Sequence, residues 1–245
     1  VLAHRIVQRL DECRKGKLIK GILPDGKAQV TVAYEDGKPT WVESIVVSVQ
    51  HEETLDHKTL ATEITTKVLW PSFEDFPFDD NAEILINPSG RFVQGGPEAD
   101  TGLTGRKLMV DTYGGLASHG GGALSGKDAT KVDRSAAYMA RYIAKNVVAC
   151  GLAERCEVSI SYAIGKANPV AVNVETFGTS LLSDGYLSGV VSDVFDLRAA
   201  AMIEKLKLRR PIFSQTSVYG HFNSSLFTWE DLDAYDVLRN AVLPR

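Results

Sequence analysis

Four glycines, three cations and two carboxylates fall between His119 and Arg134. The run reads His119-Gly-Gly-Gly-Ala-Leu-Ser-Gly-Lys-Asp128, then Ala-Thr-Lys131-Val-Asp133-Arg134. Glycine lets a backbone approach a ligand closely and take positive φ. A helical pattern follows at once, and free N–H groups at a helix start attract anions. Cations beside such a loop suit a polyphosphate, and carboxylates suit the metal that travels with it. Gly121 to Lys127 has the G-x-x-x-x-G-K spacing of a phosphate loop. Its next residue is Asp128, where that motif needs Ser or Thr on magnesium. This argues against an ordinary phosphate loop and leaves similar chemistry open, with carboxylates at the metal.

Lys127 and Lys131 are four apart, so a helix starting near Asp128 would put them on one side of its N-terminus. The helix dipole disfavours lysines there in an empty protein. A bound anion therefore explains them better than a solvated face. Asp133 suits either a metal or helix charge compensation. Asp100, Arg106 and Lys107 form a second cluster: arginine forks onto phosphate, lysine acts as a point charge, and aspartate could accept from an amine. A solvated loop would carry the same residues. Lys27, in Leu23-Pro-Asp-Gly-Lys27, reads as a turn lysine or a ligand-gripping one. The five histidines are scattered. His119 abuts the glycine loop and reads either as a support behind a ligand site or as ordinary packing, and His221 reads as structural. Neither Ser/His/Asp order nor zinc spacing stands out. Cys13, Cys150 and Cys156 include no CxxC and read as idle thiols in a reducing compartment.

These groups need a scaffold, and 245 residues with 44% hydrophobic and 24% charged content allow one large domain or two smaller ones. The net charge of −4 makes a phosphate site a local cluster and gives no support to nucleic acid as the main partner. No run reaches transmembrane length and no signal peptide is evident, so a cytoplasmic protein is expected. The chain starts at Val1 inside an amphipathic helix pattern and reads as cut from a longer one.

Apolar spacing predicts helices over 2–14, 55–69, 128–150, 183–195 and 199–206, and a partly helical end over 229–243. The second of these should stop at Trp70-Pro71, and Gly151 should cap the third. Alternation predicts strands over 29–34, 41–49, 83–87, 108–113, 157–164 and 170–177, with a hairpin turn at Glu35-Asp-Gly-Lys38. Residues 72–80 read as a loop. Gly95-Gly-Pro97 is the expected boundary between domains 1–95 and 96–245.

Several stretches together resemble the S-adenosylmethionine synthetase (methionine adenosyltransferase) family. They are Pro24-Asp-Gly-Lys-Ala-Gln-Val-Thr31, Asn87-Pro-Ser-Gly-Arg-Phe-Val93, Gly95 through Lys107, Val110-Asp-Thr-Tyr-Gly-Gly115, the His119–Ser135 run, and Arg209-Arg-Pro-Ile212 with Tyr219-Gly-His-Phe222. The resemblance implies an α+β fold, a pseudo-threefold repeat of sheet-plus-helix domains, of which this chain carries the second and third. It implies transfer of the adenosyl group of ATP to methionine sulfur, then hydrolysis of the tripolyphosphate that leaves. The alternative is a truncated, catalytically incomplete ATP- or partner-binding subunit.

The same resemblance assigns roles. Asp25, Gly26, Lys27, Arg91, Phe92, Asp100, Arg106, Lys107, Ala123 and Lys127 match ATP-site positions. Lys27, Arg106, Lys107, Lys127 and Lys131 match catalytic cations. Asp100 and Lys131 match methionine contacts, and Asp133 matches a magnesium ligand. Magnesium and potassium are the implied cofactors, and a homodimer or homotetramer with sites between subunits is the implied assembly. Ala28 stands where the family usually has Ser or Thr, and Leu124 where it has Phe. The family's Gly-His-Pro-Asp-Lys segment, Gly-Ala-Gly-Asp-Gln-Gly gate loop and potassium-binding glutamate are absent from these residues.

Overall fold

In the computed structural model, which describes residues 1–76, 78, 81–222 and 224–242, Asp36 and Gly37 both take positive φ, 50° and 76°. A type I′ hairpin turn requires that backbone. It joins strand β1 (Ile22–Glu35) to the antiparallel β2 (Lys38–His51), and β3 (Glu83–Ile86) adds parallel to β2 in the order β1-β2-β3. Val42, Ile45, Val47 and Val49 of β2 are buried. The switch from an even to an odd position falls at a bulge, where Thr31 pairs with Ser44 but Val32 with Val42.

The expected turn at Leu23–Lys27 is instead part of β1, with a register shift between Ile22 and Gly26. Pro24 is tolerated because β1 is an edge strand, where a missing N–H breaks no ladder bond. Helix α1 (Leu2–Lys15) packs Ile6, Leu10 and Cys13 into this unit's core. Helix α2 (His57–Ile64) starts at Asp56, whose carboxylate accepts from Thr59 N–H at 3.0 Å. A π-helical turn (Thr65–Leu69) carries it into a last α-turn, α3 (Trp70–Ser72). Pro71 therefore does not end the helix as expected, because it occupies the first turn of α3. Of the expected 72–80 loop, Phe73 and Phe78 are buried and stack edge to face, and Trp70 stacks on Phe78. Pro77, Asp79 and Asp80 lie outside the described residues.

The chain divides at Gly102/Leu103 into two compact units. The second begins at Leu103. Residues expected to form a strand over 108–113 form the short helix α4 (Leu108–Asp111), closed by Asp111 N–H to Lys107 and Thr112 N–H to Leu108. Met109 and Val110 are exposed while Asp111 and Thr112 are buried. The alternation of Leu108, Val110 and Thr112 is thus not the burial pattern. Helix α5 (Val132–Ala149) is the unit's spine, burying Tyr138, Met139, Tyr142, Ile143 and Val147. Gly151, at φ 71°, follows its last residues as a helix-ending glycine should.

Strands β4 (Glu157–Ser161) and β5 (Ala171–Glu175) pair antiparallel. Both are shorter than expected: a turn from Ala163 to Lys166 ends one, and Phe177 at φ 56° leaves the other. Helices α6 (Asp184–Val194), α7 (Ala199–Lys205) and α8 (Tyr235–Val242) complete the unit. Short 3-10 turns at Phe213–Ser217 and Thr228–Glu230 bring Thr216 and Trp229 inside. Leu243, the end of the expected last helix, lies outside the described residues. Both units mix sheet and helix, the α+β class expected. Among the described residues no helix is long and apolar enough to cross a membrane.

Candidate functional site

In the first unit the Pro-Asp-Gly-Lys stretch and the 91–100 segment are tied together. Asp25 Oδ2 accepts from Gly96 N–H at 2.8 Å, and Asp25 N–H reaches Gln50 Oε1 at 3.4 Å. Gln50 Nε2 donates to the Val93 carbonyl at 3.0 Å. Gly95 lies against this bridge: a Cβ there would fall 2.7 Å from Gln50 Cδ and 3.1 Å from Asp25 Oδ2. Phe92 is held through its backbone, its carbonyl accepting from His51 N–H and its N–H donating to His51 Nε2. Asp100 N–H donates to the Gly96 carbonyl. Asp25, Gly26, Phe92 and Asp100 are thereby linked, and Lys27 follows on β1 opposite Ser48. Arg91 points to Glu53 at 2.7 Å, both side chains largely exposed.

In the second unit two cationic loops meet. Gly105, which precedes Arg106 and Lys107, lies against the glycine-rich loop. A Cβ on it would fall 3.3 Å from the Ser125 carbonyl and 3.5 Å from Ala123 Cβ, and its φ of 90° already favours glycine. Burial pushes the Asp111 carboxyl up, against a smaller opposing pull from the nearby Gly105 amide. Asp111 Oδ2 is buried without a donor among the described residues.

The glycine-rich loop also fits Asp133. A Cβ on Gly122 would sit 2.3 Å from Asp133 Oδ1, so only glycine leaves room for this carboxylate. Asp133 Oδ2 accepts from Lys127 Nζ at 2.7 Å. The expected placement of Lys127 and Lys131 along one helix face needs correction. Helix α5 begins at Val132, with Lys131 as its N-cap residue. Asp128 stops it starting earlier, because its side chain takes Thr130 N–H at 2.8 Å, a local bond that competes with helix. The two lysines consequently have different carboxylates, Lys131 Nζ lying 3.2 Å from Asp128. The Asp128 carboxyl is pulled down to about 2 by Thr130, then by Lys131. His119 stays exposed and accepts from Gly121 N–H at 3.1 Å.

Beneath the loop runs a buried polar chain that the apolar spacing of α5 did not reveal. Arg134 Nη1 donates to the Lys127 carbonyl at 2.7 Å, Nη2 to Thr216 Oγ1 at 2.9 Å, and Nε to Tyr138 Oη at 3.0 Å. Tyr138 Oη lies 2.7 Å from His221 Nδ1, and His221 Nε2 lies 2.9 Å from Ser125 Oγ. His221 N–H donates to the Asp111 carbonyl. Burial first, and Arg134 second, bring the His221 imidazole down to about 4, so it is neutral near pH 7. Arg134 and Tyr138 are one helical turn apart, i and i+4, on the buried face. That polar stripe was the sequence signal available for them. The thiols are free, and burial pushes Cys13 and Cys150 up and Cys156 to about 12. None is set up as a nucleophile.

The second unit is thus a mixed α+β layer whose glycine loop, at the start of its longest helix, presents lysines paired with half-exposed or exposed carboxylates. A loop of this chemistry suits an anion.

Known families narrow this to one. Residues 1–92 match the central domain and residues 94–231 the C-terminal domain of S-adenosylmethionine synthetase. The chain belongs to the S-adenosylmethionine synthetase family, and its two units are that family's second and third repeats. It is 52% identical over 244 residues to the S-adenosylmethionine synthase of Pseudothermotoga lettingae, covering 98% of this chain and 62% of that protein. Against the Thermus thermophilus S-adenosylmethionine synthase it is 54% identical over 239 residues, covering 97% and 60%. The Desulforudis audaxviator synthase gives 53% over 242 residues, covering 98% and 61%. The chain therefore spans about three-fifths of the length of these relatives. The family uses metal ions. Among the described residues no three His, Cys, Asp or Glu side chains converge as a protein-only metal cage. Asp133 alone, half exposed beside a phosphate-class loop, fits a metal that takes one or two carboxylates and completes its shell with substrate phosphates and water.

Proposed function

We propose that this chain carries the triphosphate-binding part of a methionine adenosyltransferase. In that reaction methionine sulfur forms a bond to C5′ of ATP as the C5′–O bond breaks and tripolyphosphate leaves. Water then cleaves the tripolyphosphate to phosphate and diphosphate. The observation that carries this reading is the contact of Gly105 with Ala123 and Ser125, which brings the Arg106-Lys107 loop to the Lys127 loop. Cations from two loops facing one leaving group stabilise charge that grows in the transition state, which accelerates the step itself rather than mere binding.

On this reading Lys127 and Asp133 neutralise each other until ligand arrives. Then Lys127 turns to phosphate and Asp133 is released to hold magnesium. The metal's contribution when bound is to neutralise phosphate charge. Arg106 and Lys107 grip the triphosphate, and Arg106 also serves its hydrolysis. Lys131 faces methionine or phosphate. Ala123 borders the nucleotide, where a larger side chain would meet Gly105. In the first unit Asp25 and Gly26 shape the approach to ATP, Lys27 reaches its phosphates, Arg91 and Phe92 border the nucleotide, and Asp100 accepts the methionine ammonium group. Potassium is a further cofactor, with no ligand assigned in this chain. A domain boundary at Gly95-Gly-Pro97, between residues 1–95 and 96–245, a cytoplasmic homodimer or homotetramer, and active sites between subunits complete the proposal.

The test is an assay of the full-length protein with ATP and methionine, following S-adenosylmethionine and tripolyphosphate hydrolysis separately. Wild type should do both, and Arg106→Ala should slow hydrolysis more than adenosyl transfer. A wild-type protein that forms no S-adenosylmethionine would overturn the proposal.

A further inference from the structure

Ser125, His221, Tyr138 and Arg134 form a chain whose direction is fixed by its end. Arginine can only donate, so Tyr138 Oη accepts from Arg134 Nε and its own proton is available to His221 Nδ1. Thr216 Oγ1 accepts from Arg134 and donates to the Phe213 carbonyl, while the Tyr138 hydroxyl lies 2.7 Å from His221 Nδ1. With Nδ1 accepting, the neutral imidazole carries its hydrogen on Nε2, which faces Ser125 Oγ. Ser125 then accepts from the ring, and its hydroxyl hydrogen is left to point elsewhere.

The chain cannot easily rearrange. Arg134, Tyr138, Thr216 and His221 are all buried. The Arg134 guanidinium lies 3.6 Å over the Phe213 ring, and Tyr138 stacks on Trp229 at 3.8 Å. Arg134 makes no ion pair among the described residues, an expensive way to bury a cation for packing alone. Both ends of the chain touch the glycine-rich loop, Arg134 at the Lys127 carbonyl and His221 at Ser125. Ser125 itself is half-buried, one residue from Gly126 and two from Lys127.

We propose that His221 is a positioning residue that makes Ser125 a hydrogen-bond acceptor on its inner side and thereby presents the Ser125 hydroxyl proton, as an additional donor beside Lys127, to a bound phosphate chain. This rests on the triphosphate reading of the loop. A donor to a charged phosphate oxygen contributes roughly a tenfold gain in affinity, and holding the hydroxyl's direction in advance avoids part of the ordering cost.

The experiment is calorimetric binding of inorganic tripolyphosphate with magnesium to the full-length protein, with turnover measured beside it. Ser125→Ala should weaken tripolyphosphate binding about tenfold and leave KM for methionine unchanged. His221→Leu should weaken it as much, and the double variant no further, because both changes remove one interaction. His221→Gln, which restores an N–H toward Ser125, should recover most of the loss. Nitrogen NMR of labelled wild type should show His221 protonated on Nε2 and bare on Nδ1, a readout available even if His221→Leu does not fold. The opposite tautomer, or Ser125→Ala binding as tightly as wild type while Lys127→Ala binds weakly, overturns this inference and leaves the triphosphate reading standing. If Lys127→Ala also binds as wild type does, the triphosphate reading falls and this inference with it.

Discussion

One pair of cations lies on helix α5 and another just before its start, and their surroundings differ. Arg141 and Lys145 converge on Glu230, at 3.0 and 2.8 Å, and the Glu230 side chain is only 6% exposed. Lys127 and Lys131 meet Asp133 and Asp128 at similar distances, but those carboxylates are 51% and 64% exposed. A buried pair has exchanged its water for its partner, and removing one member strands the other. An exposed pair keeps its water and contributes little to stability, so either member can change partners at small cost. The buried cluster pins the Thr228–Glu230 turn onto α5. The exposed one is available to a ligand. Chemically similar ions thus do structural work in one place and are free for binding in the other.

This contrast can be broken by experiment. Glu230→Ala should produce the largest loss of stability, about 3 kcal/mol, read by urea denaturation. A loss below ~1 kcal/mol would put that cluster in the same class as the exposed pairs. Next is pH. The His221 imidazole, held near 4, favours the folded state fully above the unfolded value of about 6.5 and loses that contribution as pH falls toward 4. Up to about 3 kcal/mol is at stake. His221→Gln should flatten this part of the stability profile between pH 7 and 5, and an unchanged slope would assign the titration elsewhere. Smaller still is Gly122→Ala. Its new Cβ must push the Asp133 carboxylate away. Because that carboxylate is exposed, stability should fall by no more than about 1 kcal/mol, while the magnesium concentration for half-maximal activity rises. An unaltered magnesium titration would detach Asp133 from the metal.

Much of the scaffold was legible because it follows local rules. Asp36-Gly37 can take the positive φ that a tight hairpin needs, and Gly151 the φ that ends a helix. The failures share a cause, a side chain or neighbour outweighing the local pattern. Asp128 captures Thr130 N–H and delays α5 until Val132. Leu108–Thr112 alternates like a strand yet buries Asp111 and Thr112 as a helix does. Pro71 looks like a stop and becomes a first turn. The glycine-rich loop and its lysines could be read from residue types at short spacing. The support beneath it could not, because His221 meets Ser125 across 96 residues of sequence and Tyr138 across 83.

The central claim is that the Lys127 end of this contrast binds and discharges a triphosphate, while contributing little to the fold. The most direct measurement is kcat/KM for ATP of Lys127→Met in the full-length protein, with its urea midpoint taken on the same sample. The expected result is a loss of roughly 100-fold or more in kcat/KM with stability within about 1 kcal/mol of wild type. A kcat/KM within about twofold of wild type, or a loss of activity matched by a collapse of stability like that expected for Glu230→Ala, would contradict it.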